Sequence, residues 1–293
     1  MKQKYENWRP SADKIALLAK CDAILQEYIN QGFTITVRTL YYQMVARDYI
    51  PNTERSYKNL TGLVERGRMA GLLDWDVIED RGRRPLVRPH WESGKDFLES
   101  VAPQYYHDMW AGQKNRVFVV VEKDALAGVL EAQCRRWDVP LLAAKGYPSA
   151  SAVRDLVRFQ MMPHRHQSIV MLHLGDHDPS GIDMSRDLEE RLNVFAEGRF
   201  MLDFRRLALN MEQIEELQPP PNPAKVTDSR FLEYAKEYGD ESWELDALSP
   251  RYLNDLVESS IREHLDEDQW ADREEEAKNI RAKLLNLAGK FRD

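Results

Sequence analysis

Apolar residues recur at helical spacing over residues 12–31, where Ile15, Leu17, Leu18, Ile24, Leu25, Tyr28 and Ile29 form a stripe that stops at Gly32. Thr36 stands where an N-cap belongs and predicts a second helix to about residue 47. Residues 56–70 predict a third, ending near Gly71. Residues 73–79 read as a strand, and Arg81-Gly-Arg-Arg-Pro85 as a Gly/Pro turn into a second strand. After a stretch with one expected helix (91–113), the pattern alternates. It gives strand 117–122, helix 124–136, strand 139–144, helix 150–161, strand 168–174, helix 184–193 and a strand near 204–209. Pro219-Pro-Pro-Asn-Pro223 reads as a surface excursion, and the chain from about Pro250 as charged helix.

These patterns predict a multi-domain α/β protein. Three short helices and a hairpin over residues 1–90 form the pattern of a winged helix-turn-helix unit. Residues 91–114 connect it to a parallel α/β sheet unit with an acidic helical extension over 115–293. The third helix would carry Lys58, Arg66 and Arg68, and the wing Arg81, Arg83, Arg84 and Arg88, on a face suited to DNA. A net charge of −8 argues against nucleic acid only if charge is spread evenly, and it is not. Residues 32–90 hold ten Lys/Arg against seven acids, whereas residues 206–293 hold twelve against twenty-one. Cys21 and Cys134 stand in unrelated contexts, so neither a disulfide framework nor a thiolate zinc site is expected. No apolar run reaches membrane-spanning length and the first residues lack a signal-peptide stretch, so no membrane partner and a cytoplasmic location are expected.

The chemistry collects at strand ends. The apolar run 117–121 ends in Glu122, and the run 169–174 ends in Gly175-Asp-His-Asp178-Pro-Ser-Gly181. Parallel strands deliver their last residues to the carboxyl edge of the sheet, where open α/β folds bind ligands. Glu122, Asp176 and Asp178 therefore converge on one rim, which suits Mg²⁺ and phosphate. Asp176 and Asp178 share a side if extended, and His177 between them reads as a local hydrogen-bonding residue. Asp124 reads as the N-cap of the following helix rather than a ligand. Lys145-Gly-Tyr-Pro-Ser149 reads as a tight strand-to-helix turn, with Lys145 near phosphate and Ser149 as cap. On the second helix Arg38 and Tyr42 are four residues apart and share a face, while Tyr41 points about 100° away and packs inward.

Arg38-Thr-Leu-Tyr-Tyr42, Val121-Glu-Lys-Asp-Ala125, Lys145-Gly-Tyr-Pro148 and Asp176-His-Asp-Pro-Ser-Gly181 occur in the order found in the A subunit of topoisomerase VI and its relative, the meiotic double-strand-break transesterase. The likeness spans roughly residues 12–250 and includes Trp243-Glu-Leu-Asp-Ala-Leu248, similar to that family's segment after its Toprim domain. The resemblance implies a winged-helix domain and a Toprim domain. It implies Tyr42 as nucleophile forming a 5′-phosphotyrosyl link to duplex DNA, Arg38 neutralising the phosphate, and Glu122, Asp176 and Asp178 holding Mg²⁺. It also implies a homodimer in which one copy's tyrosine meets the other's metal. No nucleotide-binding Gly-x-x-x-x-Gly-Lys-Ser/Thr loop is present, so the chain resembles the compact A-like proteins of mobile elements, with any ATPase a separate partner. Two other readings fit the same residues: a Toprim nuclease using water as nucleophile, and a non-catalytic DNA-binding dimer.

Overall fold

The computed structural model of the chain describes residues 1–78 and 88–292. It is a mixed α/β structure around one four-stranded parallel sheet, formed by β1 (Asn115–Val121), β2 (Leu141–Ala143), β3 (Ser168–Leu174) and β4 (Leu202–Ala208) in the order β2-β1-β3-β4. β1 and β3 are buried from their second residue onward because both sheet faces are covered. Side chains alternate between two cores: Val117, Val119, Val121, Leu172 and Leu174 face one, and Phe118, Val120, Ile169 and Met171 the other. The register sets Val121 level with both Ala143 and Leu174. Glu122 and the turn from Gly175 to Asp178 therefore leave the sheet side by side.

Helix α5 (Asp124–Arg136) covers the first core together with α10 (Pro250–Arg262), while α6 (Ala150–Asp155) and α7 (Pro179–Ala196) lie over the second. Helix α7 begins five residues earlier than its apolar pattern suggests. Asp178 caps it, accepting a hydrogen bond from the Gly181 N–H at 2.6 Å, and Pro179 occupies the first helical position, where its missing N–H costs nothing. The cap expected at Asp124 does not form: Lys123 holds the N-cap position and Asp124 is the first helical residue. Ser149 does cap α6, accepting from the Ala152 N–H at 3.1 Å.

The amino-terminal helices α1 (Ala12–Asn30), α2 (Val37–Ala46) and α3 (Glu54–Met69) enclose their own core of Leu18, Ile24, Leu25, Leu40, Met44 and Leu60. Thr36 caps α2 as its position predicts. The strand expected at 73–79 is reduced, among the described residues, to a single bridge between Ile35 and Ile78. Arg68 is the physical reason: its guanidinium donates to the carbonyls of Trp75 (2.8 Å) and Ile78 (3.2 Å) and lies over the Trp75 ring, so the segment bends around it. The expected wing residues Arg81, Arg83 and Arg84 lie outside the described residues. Between the two parts runs α4 (Gly94–Val101), which packs on the long terminal helix α11 (Glu267–Lys290). No helix of the described residues is long and apolar enough to cross a membrane.

Gly181 is a tight constraint near the sheet edge. A Cβ there would stand 2.2 Å from the Asp176 carbonyl oxygen, a backbone atom that cannot swing aside. Gly181→Ala is expected to lower stability by about 1–3 kcal/mol, the range for overpacking, seen as a lower urea midpoint with unchanged slope.

Candidate active site

A cavity of about 510 Å³ opens at the carboxyl edge of the sheet. Arg38, Glu122, Asp176, Asp178 and Lys145, five residues singled out from four separate stretches of sequence, all line it. Arg38 is exposed and also lines a smaller neighbouring cavity of about 240 Å³ with Tyr41, Tyr42 and Asn52. Arg38 is the residue common to the two cavities, one lined by the acids and the other by the tyrosine pair. Docking of α2 onto the turn at Leu245–Ala247 brings the two together.

The acids are held by backbone as well as by charge. The Asp176 N–H donates to Glu122 Oε2 at 3.0 Å, and the Leu245 N–H donates to Asp176 Oδ1 at 2.8 Å. Gly175 has no side chain to spare, since a Cβ there would meet Glu122 Oε2 at 3.0 Å. Behind the turn lies Arg206 of β4, half-buried, donating to the carbonyls of Gly175 (3.2 Å), Asp176 (2.6 Å) and Gly181 (3.0 Å). Its planar fork fixes the backbone that carries Asp176 and Asp178. His177 points the other way, as its alternate position predicts. It is 2% exposed, its Nδ1 lies 2.8 Å from the Tyr234 hydroxyl, and its backbone pairs with Trp243. Burial pushes its pKa down to about 4, leaving it neutral near pH 7.

Lys123 was legible only as part of a motif, yet it is the hub of the charge arrangement. Its Nζ lies 2.8 Å from Asp176 Oδ2 and 3.9 Å from Asp246 Oδ2, and it donates a short hydrogen bond to Glu244. Burial opposes its charge, but Asp246, Asp176 and Glu244 outweigh that and hold its pKa above the ordinary lysine value. One ammonium cannot neutralise three carboxylates. Asp176 accordingly sits well above the usual carboxylate range, through burial first and then repulsion from Glu244 and Glu122. Asp246 is fully buried, neither of its oxygens has a hydrogen-bond partner among the described residues, and burial raises its pKa too. Burial also works against the Glu244 carboxylate, but Lys123 prevails and holds Glu244 below its ordinary value.

Tyr42 borders this cluster. It is 9% exposed, and Lys123 Nζ lies 5.7 Å from its ring centroid. Burial, then Glu244, raises the pKa of its phenol; Lys123 and Arg38 act in the opposite sense but do not prevail. Tyr41 packs inward, its hydroxyl donating to Asn52 Oδ1 at 2.9 Å and to the Thr53 carbonyl at 3.1 Å. The remaining candidates divide. Lys58 and Arg66 are exposed on α3 and line a separate cavity of about 550 Å³ with Trp8 and Lys14. Arg88 is exposed too. Arg68 turns away from that surface to its carbonyl partners, so the expected DNA-facing role does not match its placement. Lys145, in a left-handed conformation beside Gly146, sits 3.5 Å from Asp124 at the cavity lip.

Among the described residues, no three His, Cys, Asp or Glu side chains form a group that could hold a metal ion. The expected three-carboxylate set is split because Asp176 is committed to Lys123 and Leu245. Glu122 and Asp178 are differently placed: each has one oxygen taken by a backbone N–H and a second without a donor among the described residues. Their mutual repulsion adds to burial in raising Glu122 above its ordinary pKa. Glu122 and Asp178 thus offer the open carboxylate oxygens at this cavity, the donor type Mg²⁺ takes alongside waters and phosphate.

No family model matches the chain, and neither does any curated protein. Sequence reasoning missed Arg206, which sits mid-strand with no motif around it, and gave Glu244 and Asp246 no role although their segment stood out.

Removing the hub should expose its function in stability. Lys123→Met leaves Asp176, Glu244 and Asp246 without their cation and is expected to cost about 3–5 kcal/mol at neutral pH. The loss should shrink as pH falls, because acids whose folded pKa is raised take up protons and no longer need the ammonium. Urea unfolding at several pH values measures both.

Proposed function

We propose that this chain cleaves duplex DNA by Mg²⁺-dependent transesterification, with Tyr42 as nucleophile, on a winged-helix unit joined to a Toprim-like sheet unit. The observation that carries this is the shared cavity. Arg38, Glu122, Asp176, Asp178 and Lys145, far apart in sequence, line one space at a parallel sheet's carboxyl edge, with Tyr42 one helical turn from Arg38 at its border. The order of motifs that resembles the topoisomerase VI A subunit supports the same chemistry.

In this reaction the Tyr42 oxygen bonds to phosphorus, the bond from phosphorus to the 3′-oxygen breaks, and the phenolic proton ends on that 3′-oxygen through solvent. The product is a 5′-phosphotyrosyl link and a free 3′-hydroxyl. Arg38 sits exposed beside Tyr42 and neutralises the phosphate as charge develops. Lys123 lowers the cost of forming the phenolate near Glu244. Glu122 and Asp178 would hold Mg²⁺, with Asp176 ordering Glu122 through its backbone N–H. When bound, the ion supplies Lewis-acid stabilisation of the phosphate and leaving oxygen.

The burial of Tyr42 favours a second reading, in which water attacks and the phenol is structural. One experiment separates the two. Supercoiled DNA is incubated with protein and Mg²⁺, denatured, and treated with protease. The transesterase releases DNA blocked at its 5′ ends, and Tyr42→Phe abolishes cleavage at least 100-fold, the scale of losing a nucleophile. Cleavage that survives in Tyr42→Phe and leaves free 5′-phosphates means the water reaction. A homodimer sharing its sites would recover activity when Tyr42→Phe and Glu122→Gln proteins are mixed; a site built within one chain would not.

The raised pKa of Glu122 gives a pH test. The metal needs the ionised form, so Mg²⁺ affinity measured by calorimetry should fall with acidification through a midpoint above the ordinary carboxylate range.

A further inference from the structure

The end of the proline-rich excursion leads into an arch, residues 222–228, at the acid-lined cavity. One foot is the two-stranded ribbon of β5 (Asn222–Pro223) and β6 (Glu241–Ser242), with the buried Ala224 donating its N–H to the Asp240 carbonyl at 2.8 Å. The other foot is Asp228, whose Oδ2 accepts a hydrogen bond from Ser180 Oγ at 2.8 Å in the first turn of α7. The Asp228 N–H donates to the Lys225 carbonyl at 2.9 Å and closes the span between them. At its crest stands Lys225, exposed and lining the cavity.

Charge bookkeeping at the cavity singles this lysine out. Five carboxylates and four cations line it. Lys123 is taken by Asp176 and Glu244, and Lys145 lies 3.5 Å from Asp124. Glu122 and Asp178 are left on the acidic side, Arg38 and Lys225 on the other. Lys225 has no ion pair or side-chain hydrogen bond to any other described residue. A divalent ion on Glu122 and Asp178 would bring the lining to six positive charges against five carboxylates. Arg38 is drawn to Asp246 and Glu244, so Lys225 is the lining cation that, among the described residues, is left open to a phosphate of its own.

We propose that Lys225 is a positioning residue that grips a DNA phosphate next to the one attacked, with the arch as its support. The inference rests on the DNA-cleaving reading above and adds a contact outside the reacting atoms. An ammonium on a flexible stem is a point charge with three donors, so the grip is independent of base sequence. Because the arch is anchored at both feet, the backbone that carries the lysine is held at the cavity rather than in a free loop.

The test is the salt dependence of binding, read in a Tyr42→Phe background so that no covalent link forms. Affinity for a short blunt duplex is measured with Mg²⁺ across a salt series, with and without Lys225→Ala. Loss of one phosphate contact should make the slope of log affinity against log salt shallower by about 0.9, so that affinity falls roughly 3.5-fold less between 50 and 200 mM salt. Lys225→Arg should keep the original slope. An unchanged slope in Lys225→Ala overturns the proposal. A merely structural lysine would lower the thermal midpoint and leave the slope alone. The two readings fail separately: absence of 5′-blocked product sinks the tyrosine chemistry, whereas an unchanged slope sinks only the Lys225 contact. Failure to bind any duplex would sink both.

Discussion

A single buried ammonium ties the molecule together at the place where its chemistry collects. Lys123 reaches a residue after β3 (Asp176) and two after the β6 ribbon (Glu244 and Asp246), and it lies near the ring of Tyr42 on α2. Four distant parts of the chain are therefore organised by one positive charge in a low-dielectric setting, where partial compensation is costly and geometry must be good. The amino-terminal helices dock at the same place, for the turn that contacts α2 is the turn whose acids Lys123 holds.

Backbone constraints do the rest. Arg206 binds two carbonyls of the turn after β3 and one at the start of α7, and Gly181 lets α7 approach the Asp176 carbonyl more closely than a Cβ would permit. The pattern Asp-His-Asp-Pro-Ser-Gly thus acquires a physical meaning residue by residue. The first Asp faces Lys123, His177 packs into an aromatic cluster with Tyr234, Tyr238 and Trp243, and the second Asp caps α7 while facing the cavity. Pro179 opens the helix and Gly181 clears the Asp176 carbonyl.

The parallel strands were plain in the sequence because long apolar runs such as 117–121 admit few other structures, and their carboxyl ends foretold where Glu122 and Asp176 would meet. Over residues 73–78 the expected strand gives way because Arg68, a residue of the preceding helix, takes the carbonyls of Trp75 and Ile78. Helix α7 was read short because its first turn is written in capping residues rather than apolar ones. Lys123 and Arg206 could not be assigned roles from sequence, since what they do depends on partners more than fifty and about thirty residues away respectively. The arch escaped notice because proline-rich composition signals only where a chain leaves a sheet, not what it comes back over.

The amide pair Asn52 and Asn222 carries a mechanical consequence. Asn52 accepts from Tyr41 on α2 and donates to Asn222 in the ribbon at the foot of the arch. The tyrosine helix and the ribbon that carries the lysine are therefore joined by two short polar side chains. Parting them breaks one exposed hydrogen bond, a cost of about 1 kcal/mol, so the bond orients the two without locking them together.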